Sequence, residues 1–286
     1  MFDFRYHAVS LVAVLVALVL GLLLGVAIGD AGLVSSARDS VRDSLRGDVQ
    51  SARREAADAR GALATEQRYS RSAYPLLVSG RLTGMRVGLL FLGEPDESVA
   101  GEVRQALTGT GGRLTGTLSL RMPPDLRKIA ADAGMSRYAG IESDPALLDE
   151  LGRRLGIQLA QGGQLLRNVA EALLTARSGT LGPFDAIVVL RDPPKLEGDD
   201  ARHSAALEDG IIDGLTANPL SVVGVQRTSS KPSQIGWMRE RELSTVDNVD
   251  QVAGRAALVF ALAGTRGSFG LGPEAQTLLP GVESVR

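Results

Sequence analysis

The sequence predicts an α/β fold preceded by two N-terminal helices, and three observations predict it. Residues 8–28 (AVSLVAVLVALVLGLLLGVAI) carry no charged side chain. Residues 34–63 show a narrow apolar stripe in a strongly charged background. From residue 86 onward, short apolar runs alternate with stretches of helical period, the pattern of a Rossmann-like three-layer domain with a mostly parallel sheet. The expected organisation is a transmembrane anchor at 1–32, a coiled-coil stalk at 33–74 and an α/β extracytoplasmic domain at 75–286.

The anchor comes first. At about 1.5 Å rise per residue its 21 uncharged residues cover about 31 Å, the hydrocarbon thickness of a bilayer. A cleaved signal peptide is the alternative, since Ala27-Ile28-Gly29 has the small-x-small form of a cleavage site, but such peptides have apolar cores of only ~7–15 residues. Ala13, Ala17, Gly21, Gly25 and Gly29 recur every four residues and so share one helix face. Small stripes let two membrane helices approach closely, which predicts pairing with a second copy or a partner membrane protein. Basic residues nearly balance across the span: Arg5 precedes it beside Asp3, and Arg38, Arg42 and Arg46 follow it among Asp39, Asp43 and Asp48. The reading adopted is a single pass in the cell membrane, with the N-terminus inside and the C-terminal domain outside the cytoplasm.

The stalk is read from Val34, Ala37, Val41, Leu45, Val49, Ala52, Ala56, Ala59 and Leu63, spaced by three or four residues. Its second half keeps a heptad seam, and the run of fours before it resembles a stutter. The seam is mostly alanine, weakened further by Gly47 and Gly61. A lone solvated helix folded back on its domain is the alternative. Pro75 is expected to end the helix.

In the domain, residues 86–92 (RVGLLFL) read as a buried parallel strand, followed by a helix capped by Asp96. Residues 113–120 read as a second strand. Pro123-Pro124 opens a helical stretch, Pro145 starts another, and 165–174 continues in helical period. Residues 184–190 (FDAIVVL) read as a third strand, 205–215 as a helix and 220–226 (LSVVGVQ) as a fourth strand. Asn248 or Asp250 is expected to cap a final helix through Leu262.

Composition excludes several functions. Net charge is −2, so no nucleic-acid surface is implied. The absence of cysteine removes disulfides, thiolate metal sites and cysteine nucleophiles. Arginine outnumbers lysine 28 to 3, which reads as base-composition bias. No G-x-G-x-x-G or Walker loop follows the first strand, and there is no G-x-S-x-G. Of the carboxylates at strand ends, Asp96 reads as a helix cap and Asp192 as a turn residue before Pro193-Pro194. His203 is the one histidine beyond the N-terminus. The reading is a non-enzymatic chain without an evident cofactor.

Arg5-Tyr6-His7-Ala8-Val9-Ser10-Leu11 runs into the Gly21/Gly25/Gly29 ladder, the strand RVGLLFLG opens the domain, and Ser244-Thr245-Val246-Asp247-Asn248-Val249-Asp250 is followed by Ala253-Gly254-Arg255. With Phe269-Gly270 and Leu278-Leu279-Pro280, these motifs resemble the actinobacterial MctB copper-transport proteins. The resemblance implies an envelope protein of copper export or homeostasis, with some relatives linked to cell-wall and division machinery. Copper(I) prefers sulfur ligands, and Met1, Met85, Met122, Met135 and Met238 share no short spacing. Nor does the domain have the even, ~10-residue alternating strands of an outer-membrane barrel. Two functions follow: a membrane protein of copper transport or homeostasis, or a scaffold binding a cell-wall or division partner through its stalk and α/β domain.

Overall fold

A computed structural model describes residues 4–30, 33–134 and 136–281. The chain divides into two compact units, one ending at Gln67 and the other beginning at Arg68. In the first, α1 (Phe4–Asp30) is apolar all round, with no acidic residue in its first turn and no basic one in its last. Among the described residues, Arg5–Gly29 is the one helix long and apolar enough to cross a membrane. Its large side chains are exposed, Leu22 to 70 %. The second helix, α2 (Leu33–Val78), carries the predicted stripe: Val41, Leu45, Val49 and Leu63 are all exposed.

Pro75 does not end α2, which continues to Val78. Proline removes one backbone donor and would ordinarily cost about 3 kcal/mol inside a helix. Here the last turn has tertiary support, because Val78 is wholly buried and the Tyr74 hydroxyl donates to the Ala106 carbonyl at 2.7 Å. The turn closes when Ser79 N–H donates to the Pro75 carbonyl, and Gly80 then takes a left-handed conformation (φ 70°).

The second unit is built on a seven-stranded sheet in the order β3-β2-β1-β4-β5-β6-β7. The strands are β1 (Arg86–Gly93), β2 (Arg113–Leu120), β3 (Leu174–Gly179), β4 (Ala186–Asp192), β5 (Ser221–Val225), β6 (Ser244–Val246) and β7 (Ser268–Phe269). All neighbours pair in parallel except β3, which runs antiparallel to β2 at one edge. Val87, Leu89 and Phe91 of β1 enter one core and Leu90 and Leu92 the other, so both faces of the sheet are buried.

Helices α3 (Glu97–Leu107) and α9 (Val252–Leu262) cover the first face with Val78 and Leu82. The opposite face is covered by α4 (Leu126–Ala133), α5 (Pro145–Gln161), α6 (Gln164–Leu173), α7 (Gly198–Thr216) and the short α8 (Ile235–Glu240). Asp96, Asp125 and Asp144 cap α3, α4 and α5 by accepting from backbone N–H groups one turn in. Helices α5 and α7 meet through Gly152 and Gly156 on one side and Gly210 and Gly214 on the other. A Cβ at Gly156 would overlap the Ile211 carbonyl, and one at Gly210 the Asp149 carbonyl.

The expected strands at 86–92, 113–120, 184–190 and 220–226 correspond to β1, β2, β4 and β5. Three strands were not expected. β3 follows α6 directly and exposes every residue except Leu174, so the segment carries no apolar period. β6 and β7 have only three and two residues. The expected cap of α9 is also corrected. Gln251 precedes that helix with no side-chain cap bond, the Asn248 side chain bonds to nothing among the described residues, and the Asp250 carboxylate accepts from Thr228.

Candidate functional site

At the carboxyl edge of the sheet the chain order reverses: from β1 it steps to β2 on one side, and β4 lies on the other. In open α/β sheets such a switch point leaves a crevice outside the strand ends. β1 leaves the sheet at Gly93 (φ 122°), where a Cβ would overlap the Asp192 carbonyl, and reaches Asp96 at the start of α3. β4 ends at Asp192 and turns through Pro193-Pro194 to Lys195. β5 runs into the 226–234 loop ahead of α8. Between them lies a cavity of about 480 Å³, bordered by Asp96, Arg191, Lys195, Arg227, Lys231 and Gln234. A second cavity of about 440 Å³ shares Lys231 and is bordered by Asp247, Gly272 and Glu274.

The 226–234 loop between them is fixed from several sides. The Gln226 side-chain oxygen accepts from Gln234 N–H at 2.9 Å. The Asp250 carboxylate accepts from the backbone N–H and the hydroxyl of Thr228 at 2.8 and 3.0 Å. Arg227 lies 3.4 Å from Glu102, whose carboxyl is pushed up by burial and pulled back by Arg227. Arg191 donates to Glu208 at 2.9 Å and to Gln234 at 2.6 Å. Trp237 stacks between Arg191 and Arg241, whose guanidinium carbons lie 4.5 and 3.8 Å from the ring centre. Burial raises the Glu208 carboxyl against the opposing pull of Arg191.

The motif residues named from sequence are placed here as anchors of loops. The Asp247 carboxylate, 5 % exposed, accepts from Leu271 N–H at 2.8 Å and Gly272 N–H at 2.7 Å. Gly270 (φ 144°) packs so closely on it that any Cβ would overlap its oxygen. Asn248 is wholly buried, and its amide atoms find no partner among the described residues. Its carbonyl accepts from Gln251 N–H and sits where a Cβ on Gly254 would fall. Strand β6 and the loop contacts of Asp247 and Asp250 thus account for much of the motif from Ser244 to Arg255, and the Asn248 amide is the part they leave unpartnered. Sequence reasoning missed Lys195, Arg227 and Lys231. The signal that could have found them is that two of only three lysines follow strand ends.

The remaining sequence-predicted residues lie in the first unit. Ala13, Ala17, Gly21, Gly25 and Gly29 line exposed α1, and a Cβ at any of the three glycines would meet nothing within 4 Å. Ala52, Ala59 and Leu63 are exposed on α2 like Val41, Leu45 and Val49, and Ala56 is half-buried. Of the potential copper donors, Met238 is wholly buried and His7 and His203 are exposed on separate helices. Met1 and Met135, and the seam side chains of Val34 and Ala37, lie outside the described residues. Among the described residues no group of three or more His, Cys, Asp or Glu side chains could hold a metal ion.

The family described as "Copper transport outer membrane protein, MctB" matches residues 1–280. No curated protein matches the chain. The chain belongs to the MctB family, as its opening, strand and 244–255 motifs lead one to expect.

Proposed function

We propose that this MctB-family chain serves copper transport or homeostasis indirectly, as a single-pass scaffold of the cell membrane. The observation carrying this reading is that α1 and α2 leave apolar and small-residue faces uncovered, with Leu22 70 % and Leu45 57 % exposed. Lipid and a second helix are the environments that would cover them. In the proposal α1 is a retained anchor and the Rossmann-like α/β unit lies outside the cytoplasm. The chain acts without catalysis, by presenting a cell-wall or division protein with a surface.

The proposed partner of α2 is a second copy in parallel. With Val49, Ala56 and Leu63 at a positions and Ala52 and Ala59 at d, the flanking g positions are Asp48 and Glu55 and the e positions Arg53 and Arg60. Parallel copies set Asp48 against Arg53 and Glu55 against Arg60, whereas antiparallel copies set like charges together. None of these four forms an ion pair among the described residues. Direct copper handling, the other reading of the family description, finds no group of three or more His, Cys, Asp or Glu side chains to support it among the described residues.

Disulfide cross-linking tests the dimer, because the native chain has no cysteine. In membranes holding the full chain, Val49→Cys is expected to cross-link to a second copy on mild oxidation. Arg54→Cys, on the outer face of the helix, is expected to stay monomeric. Equal cross-linking of both, or of neither, rejects the parallel seam.

A further inference from the structure

We propose that the crevice at the carboxyl ends of β1, β4 and β5 binds a small phosphate-bearing ligand between Lys195 and Lys231. Its volume, about 480 Å³, falls within the range of small-molecule sites. Four cations border it, and two are already engaged: Arg191 with Glu208 and Gln234, Arg227 with Glu102. Lys195 and Lys231 have no partner among the described residues. Of the two bordering carboxylates, Asp96 is spent on the N–H groups of Ser98 and Val99, which leaves Asp192. Two ammonium groups therefore face one carboxylate, in a chain whose net charge is −2. The Nε of Arg227, a residue bordering the crevice, is buried and finds no acceptor among the described residues.

The arrangement also says where the anion goes. The N-terminus of α3 is the usual seat of a dinucleotide pyrophosphate, but the Asp96 carboxylate fills it and Pro95 offers no N–H. The positive charge comes instead from the loops after β4 and β5, which places the anion on the β4–β5 side. Ammonium groups on separate loops suit an anion with several acceptor oxygens, and phosphate has them. Gln226 and Ser230 add neutral polar groups to the same wall. The hold of Asp250 on Thr228 and of Gln226 on Gln234 fixes that wall in advance of binding, which lowers the entropy cost of association. A soluble phosphate ester and a phospholipid headgroup share this chemistry. The site is independent of the seam and of copper.

The test uses the full chain in a neutral detergent and reads the single tryptophan, Trp237, on which the crevice residue Arg191 stacks, with calorimetry as a second measurement. The probes are inorganic phosphate, glycerol phosphate, and vesicles of phosphatidylglycerol or phosphatidylcholine. Saturable binding of at least one phosphate probe is expected, weakened about tenfold or more by Lys195→Gln with Lys231→Gln. Lys128→Gln on α4 is expected to change nothing. Binding of inorganic or glycerol phosphate points to a soluble ligand, and binding of phosphatidylglycerol vesicles alone to a headgroup; either supports the site. No saturable binding by either measurement, or unchanged affinity in a folded double variant, overturns it.

Discussion

At the residue scale, the charged groups of the α/β unit act mainly by holding backbone in place. Asp247 is the clearest case, since its two acceptor bonds tie β6 to the start of the 271–277 loop. Charge-assisted bonds to a buried carboxylate contribute about 1.5–3 kcal/mol each. Asp247→Ala is therefore expected to lower unfolding free energy by about 3 kcal/mol in urea titrations followed by circular dichroism, and to open residues 271–277 to protease. An unchanged midpoint and digestion pattern would show that the loop is held otherwise. Titration separates two further carboxyls. Arg86 holds Asp185 below the ordinary aspartate range of about 3.9. Its contribution is present above that value and is lost as pH falls through the lowered one. Burial raises Glu208 above the ordinary glutamate value of about 4.3, so its charged form costs more folded than unfolded. That group adds stability as pH falls from neutral through its raised pKa, and Glu102 and Asp149, also raised by burial, act in the same direction. Glu208→Gln is expected to flatten this rise in melting temperature between neutral pH and about 4.3, leaving the Asp185 loss at lower pH in place. A wild-type slope in the variant would place the titrating group elsewhere.

At the element scale, glycine serves opposite ends in two kinds of helix. Gly156 of α5 lets its backbone meet α7, where a methyl group would overlap the Ile211 carbonyl. Gly101 of α3 has nothing within 4 Å of its absent Cβ. Gly156→Ala is expected to destabilise by about 2–3 kcal/mol through overpacking, and Gly101→Ala to stabilise by about 0.5–1 kcal/mol through helix propensity. Thermal melts of the two variants that shift the same way would contradict the packing account. The comparison also bears on what was legible. The Gly21/Gly25/Gly29 spacing stood out because nothing polar interrupts it, while the same spacing at Gly152/Gly156 and Gly210/Gly214 was masked by the charged residues around it. Strands β1, β2, β4 and β5 could be read because both their faces are buried and their apolar runs are long. β3 lies at an edge with a polar sequence, and β6 and β7 are too short for any period, so only tertiary pairing makes them strands. The crevice was legible in part. Asp96 and Asp192, read from sequence as a cap and a turn residue, lie at the edge of the sheet where the crevice opens, but Lys195 and Lys231 border one cavity only through the pairing of β4 with β5.

At the scale of the whole molecule, the question is which part carries the role of the family, and the candidate parts can be damaged separately. Replacing Leu45, Val49 and Leu63 by Asp puts charge into an apolar stripe that is exposed in the single chain. Such side chains cost nothing in a lone helix, but in a paired seam each must be desolvated or the helices must separate, at several kcal/mol in total by the scale of burial penalties, about 1–3 kcal/mol per polar group. The α/β unit begins beyond these positions and has both of its cores within itself, so it is expected to stay folded. Two metal-capable side chains of the α/β unit are removed by His203→Asn with Met238→Leu. The leucine is chosen because Met238 is wholly buried, and a volume-conserving exchange costs less than about 1.5 kcal/mol. Complementation of a deletion strain, scored for copper sensitivity and for cell-wall morphology, then compares the two. A scaffold is expected to fail with the Asp-substituted seam and to work with the His203/Met238 pair replaced. If the seam variant restores both phenotypes while the other leaves the cells copper-sensitive, the chain handles the metal itself. The indirect role would then be wrong.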